Sequence, residues 1–147
     1  MTLFLLSFPV LLLGAALAAA FKSNRLSALC SIASQVVACV LVLAGTAPLL
    51  GGAPAMELSW SWPPPIERVS LRLDGLGAFF LAWSLPLTLL GTVFSTGYLK
   101  PHLDKGRRGG THFALLAVVS LSFVIIYSVQ NALVFLLGWE IAAVAAW

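Results

Sequence analysis

The sequence predicts an all-α transmembrane protein: four complete spanning helices, an incomplete fifth, and a short outer β-hairpin-like loop between helices 2 and 3. Three observations predict it. The 147 residues are 61% hydrophobic and only 9% charged, against about 25% charged in an ordinary soluble domain. The apolar residues gather into five uncharged runs, and about 20 such residues cross a bilayer. Eight Lys and Arg against five Asp and Glu give a net charge of +3. The cations sit between the runs, so the charge reads as membrane topology rather than attraction to nucleic acid. The same composition excludes a cytosolic enzyme and a disordered chain.

The first run, residues 2–21, has no charge. Ala18-Ala19-Ala20 resembles a signal-peptide cleavage site, but no cation precedes the run, so an uncleaved span is expected. Lys22 and Arg25 follow, and residues 26–50 form the second span. Ser27, Ser31, Ser34 and Gln35 recur within it at intervals of three and four, or one, which puts them on one helical stripe. Such polar side chains suit packing between membrane helices. Cys30 and Cys39 are nine residues apart, on opposite helical faces, and read as apolar fillers. No CxxC motif or Cys/His cluster occurs, so no metal site is expected.

Residues 51–74 form the long second connection. Ser59-Trp60-Ser61-Trp62 and Val69-Ser70-Leu71-Arg72-Leu73 alternate polar and apolar residues around Pro63-Pro64-Pro65. That pattern predicts two short strands joined by a wide turn. Their apolar faces are expected on the helix ends, with Trp60 and Trp62 at the headgroup level. Glu57, Glu67, Arg68 and Arg72 then lie in water. Asp74 precedes Gly75-Leu76-Gly77 and reads as the N-cap of the third span, with a proton-access or subunit-contact role as the alternative.

The third span, residues 76–99, contains Pro86 and Gly91, which predict a kink. The basic stretch 100–108 follows, with Asp104 solvated among its cations. Residues 112–129 are the fourth span. Residues 132–147 are the fifth, with Asn131 as N-cap. Its sixteen residues reach roughly 24 Å, and no Lys or Arg closes it. The chain therefore reads as a fragment of a longer protein. The positive-inside rule places the first and third connections in the cytoplasm. The N-terminus, the hairpin and the Gln130-Asn131 turn are then outside, in a multi-pass protein of the cell inner (plasma) membrane.

Four of the five acids are thus assigned to water or to a helix cap. Glu140 is not. It lies nine residues beyond Asn131, about 13 Å along the fifth helix and near the bilayer midplane. Placing a comparable acid there costs roughly 2.5–3.5 kcal/mol on insertion scales. No cation occurs between Ala132 and Trp147. Two accounts follow: a protonated carboxyl hydrogen-bonded to a neighbouring helix, or a proton-relay carboxylate facing a bundle interior or wet cavity. Intramembrane ionisable groups favour the second. Gly138, two residues away, permits close approach of a partner helix.

Three segments together resemble a known family. They are Leu71-Arg72-Leu73-Asp74-Gly75-Leu76-Gly77-Ala78-Phe79-Phe80 opening the third span, Thr96-Gly97-Tyr98-Leu99 closing it, and Asn131 through Trp139-Glu140 in the fifth. In this order the chain resembles the N-terminal part of the antiporter-like, proton-pumping membrane subunits. These occur in respiratory complex I, Mrp-type antiporters and membrane-bound hydrogenases. The nearest subgroup is the hydrogenase-4 component B or formate hydrogenlyase membrane subunit.

The resemblance spans residues 1–147 as one domain. It implies that Glu140 is the acid of a Glu–Lys pair in a proton pathway. It also implies a parent fold of about fourteen helices with inverted repeats. The Lys-bearing helix, the broken helices and the second repeat are not in this sequence, so the chain holds half of one relay. By the same implication it is not catalytic alone but part of a membrane oxidoreductase of the NADH/quinone dehydrogenase or hydrogenase type. It binds no cofactor itself. Its partners are other membrane subunits, the lipid bilayer, and protons or Na⁺, with no nucleic acid. The alternatives are a small membrane scaffold or assembly subunit whose Glu140 pairs with a partner helix, and an unrelated multi-span carrier.

Overall fold

A computed structural model describes residues 1–103 and 108–147. Asp104 therefore lies outside the described residues. The elements run α1 (Thr2–Ala20), α2 (Asn24–Leu50), β1 (Met56–Ser61), β2 (Arg68–Leu73), α3 (Gly75–Tyr98), the single turn α4 (Lys100–Leu103), α5 (Gly110–Ile126) and α6 (Ala132–Ala146).

Three helices, α1, α2 and α3, have 19, 27 and 24 residues and enough apolar character to cross a bilayer. By length and composition they mark the chain as a membrane protein. The expected fourth complete span differs. Residues 112–129 are uncharged throughout, but α5 ends at Ile126 and has 17 residues, about 25 Å. Its last apolar residues leave the helix because Val129 bridges Leu71 of β2. Ser128 Oγ donates back to the Val124 carbonyl at 2.7 Å, within the terminating turn. The fifth helix, α6, is 15 residues long.

Small residues let the helices approach. On α1, Phe4, Ser7, Leu11, Gly14 and Ala18 are buried in one stripe that packs on α2 and α5. A Cβ at Gly14 would collide with the Ser34 side chain, so this crossing requires glycine. The central helix is α5, which touches α1, α2, α3 and α6. It buries Ala114, Ala117 and Ser120, whose short side chains leave room for helices on several sides. α3 is continuous through Pro86 and Gly91.

β1 and β2 pair antiparallel, with Met56 opposite Leu73, Leu58 opposite Leu71 and Trp60 opposite Val69. Period-two alternation puts these six on one face. Val69, Leu71 and Leu73 are buried, while Trp60 and Trp62 stay exposed. β1 starts three residues earlier than the alternation predicts and leaves out Trp62, whose N–H donates to the Glu67 carbonyl at 2.8 Å. On the wet face, Arg72 and Glu57 pair at 3.5 Å, and Arg68 donates to Ser59 Oγ at 2.8 Å. Both charges of the pair are about half exposed or more, so it adds little stability.

Among the described residues, the charged side chains other than Glu140 separate to the two ends of the bundle. Met1 N lies 3.2 Å from Met56 Sδ, which places the N-terminus at the hairpin end. At the other end, Gly109 N–H donates to Asn24 Oδ1 at 2.8 Å. That contact brings the connection carrying Lys22 and Arg25 beside Arg108.

Candidate functional site

Two polar features stand within the helices: the carboxyl of Glu140 on α6 and a buried polar cluster between α2, α3 and α5. The hairpin end orients the first. Asn131 Oδ1 accepts from the N–H groups of Leu133 and Val134 at 2.9 and 3.2 Å. Its Nδ2 donates to the carbonyls of Arg68 and Ile66 at 3.2 and 3.4 Å. One side chain thus caps α6 and ties it to the hairpin. Two backbone bonds reinforce the tie, Arg72 N–H to the Ser128 carbonyl at 2.7 Å and Gln130 N–H to the Ser70 carbonyl at 2.9 Å. Asp74 caps α3 in the same way, its Oδ1 accepting from Gly77 N–H at 2.9 Å. Its alternative role in proton access or subunit contact is not needed to explain its position.

Replacing Asn131 by Ala is expected to cost about 1 kcal/mol from the cap alone. Hydrogen exchange at Leu133 and Val134 should accelerate. Asn131→Asp keeps the acceptor and loses both donors, so it should protect those amides while loosening the hairpin. Equal protection in all three proteins would show that the cap does not hold α6.

Below its cap, α6 packs on α5 through Val134, Gly138, Ala142 and Ala145, the residues it withdraws from the surface. A Cβ at Gly138 would sit 3.0 Å from Ile125 Cγ2. The close approach that Gly138 permits is therefore to α5 of this chain, not to an outside partner. Glu140 is two residues on, about 200° around the helix. It is exposed on the opposite face, between Leu136, Leu137 and Val144, which are also exposed. Among the described residues it has no hydrogen-bond or ion-pair partner. Within residues 1–147 it faces outward from the bundle, so any interior or cavity it serves is built by other helices.

The second place is closed. Gln35 is 3% exposed, and its amide is matched on both sides. Nε2 donates to Thr92 Oγ1 at 2.8 Å and to Ser31 Oγ at 3.1 Å. Ser120 Oγ lies 3.1 Å from Gln35 Oε1 and 2.8 Å from Thr88 Oγ1. Ser31 donates onward to the Phe113 carbonyl at 2.7 Å, and Thr92 to the Thr88 carbonyl at 2.9 Å. The cluster joins three helices and leaves no buried side-chain polar atom unpaired among the described residues. It holds no ionisable group. The helical spacing in α2 identified Ser31 and Gln35. Thr88 and Thr92, four apart on α3, carried the matching signal: Thr92 pairs with Gln35 and Thr88 with Ser120.

Cys30 and Cys39 are free thiols. No group of three or more metal-ligating side chains occurs among the described residues. In comparisons with known proteins, no family model matches the chain, and no curated protein matches it.

Proposed function

We propose that this chain is the N-terminal part of a proton-translocating membrane subunit of a respiratory or hydrogenase-type complex, with Glu140 the acid of an intramembrane proton relay. One observation carries the reading. The single acid at membrane depth stands on the face of α6 that this chain leaves uncovered, where a cation from another helix can reach it. Desolvation raises a carboxyl pKa and a nearby cation lowers it. A lysine that approaches and withdraws would make Glu140 release and take up a proton in turn. Asn131 and Gly138 support the reading by holding α6 at both levels, so that the acid keeps its direction.

In this reading the basic end of the bundle, with Lys22, Arg25, Lys100 and Arg108, faces the cytoplasm. The N-terminus and hairpin face outward across the inner (plasma) membrane. Other membrane subunits supply the redox chemistry, and protons or Na⁺ are the transported ions.

The reading is tested on the gene beyond the codon for Trp147. The expected result is coding sequence with a Lys inside the second span after this point. Its product should acidify inverted vesicles when the complex turns over. A 147-residue product that assembles with partners, with no such sequence nearby, overturns the relay and leaves a scaffold.

A further inference from the structure

At the basic end, α2 and α3 part to leave a cleft of about 730 Å³. Its rim is polar: Ser23, Asn24 and Arg25 at the start of α2, Thr96 near the end of α3, and Lys100 on α4. Its wall is apolar, built from Leu29 and Ile32 of α2 and Phe113 of α5. The Gln35–Thr92 hydrogen bond comes one turn further along both helices and joins them there. Arg25 and Lys100 are exposed, and neither has a carboxylate partner among the described residues. The only ion pair recorded among those residues is at the hairpin.

We propose that this cleft binds one anionic phospholipid, its phosphate between Arg25 and Lys100 and an acyl chain along Leu29, Ile32 and Phe113. The charge decides the occupant. A neutral apolar helix would fit the wall but would gain nothing from the charges of Arg25 and Lys100 at the rim. A free phosphate would satisfy the rim but leave the wall empty. An anionic lipid does both, and basic pockets between membrane helices recognise such headgroups. The inference is independent of the relay, because it uses no group on α6.

The test is native mass spectrometry of the purified chain in detergent, with phosphatidylglycerol and phosphatidylcholine at equal mole fraction. Phosphatidylglycerol should be retained about ten-fold or more over phosphatidylcholine. The Arg25→Gln/Lys100→Gln protein should lose that preference. Arg68→Gln/Arg72→Gln, at the hairpin end, should keep it. Circular dichroism verifies that both proteins stay helical. Equal retention of the two lipids overturns the site, as does equal loss in the hairpin variant. Displacement of the lipid by millimolar inorganic phosphate also overturns it, because the wall would then contribute nothing. A photo-crosslinking side chain at Ile32, used in native membranes, should capture a phospholipid. Capture of a polypeptide instead assigns the cleft to a protein partner and ends the proposal.

Discussion

Replacing Glu140 by Gln in the intact subunit is expected to abolish proton translocation while leaving membrane insertion and assembly unchanged. Gln has nearly the shape of Glu and keeps hydrogen-bonding capacity, but it cannot accept and release a proton near neutral pH. Insertion is not impaired, because Gln avoids the penalty of roughly 2.5–3.5 kcal/mol that a central acid carries. Packing is not impaired either, since Gly138 and Ala145, not Glu140, are buried in α6. A proton-transfer group commonly contributes about 10²–10⁴-fold to a rate, so loss should reach the detection limit of a vesicle acidification assay. Glu140→Asp keeps the acid one methylene short and should leave a slow residual rate. Unchanged acidification by the Gln protein would refute the relay. Failure of that protein to assemble would favour the alternative in which Glu140 docks a partner helix.

The place of Glu140 along a helix capped by Asn131 was legible in the sequence, but its direction was read less well. That place follows from counting residues beyond Asn131. Direction follows from which stripe of α6 packs, and Val134, Gly138, Ala142 and Ala145 form that stripe at spacings of four, four and three. These small residues were present in the sequence, but an all-apolar helix shows little contrast between its faces. The long spans were legible for a simpler reason: an uncharged run of 19 residues or more has few alternatives. The end of α5 was not. Residues 127–129 continue the uncharged run, yet β2 recruits Val129 through backbone pairing. A backbone hydrogen bond leaves no mark on side-chain composition, so neither this junction nor the shortened helix could be read in advance. The clamp partners of Gln35 were half legible. A polar stripe announces that it needs partners but does not name them.

The clamp leads to the second large effect. Gln35→Leu is expected to destabilise the bundle by about 2 kcal/mol, on the basis that a polar contact between membrane helices averages about 0.6 kcal/mol. Three are lost: those to Ser31, Thr92 and Ser120. The cost stays moderate because the partners find other acceptors. Ser31 still donates to Phe113, Thr92 to Thr88, and Ser120 has the Leu116 carbonyl at 3.3 Å. Leu also fills most of the volume, so little cavity term is added. Gln35→Asn tests the geometry, because its shortened amide cannot reach α3 and α5 together. It should cost at least as much as Leu, since the amide then stays buried and partly unpaired. Unfolding of the purified chain by sodium dodecyl sulfate measures all three proteins. Thr92→Val combined with Gln35→Leu should cost less than the sum of the two single changes, because they share one bond. Strict additivity would show that Gln35 and Thr92 do not interact. If the cycle instead shows coupling, this clamp sets how far α2 and α3 can part at the basic end.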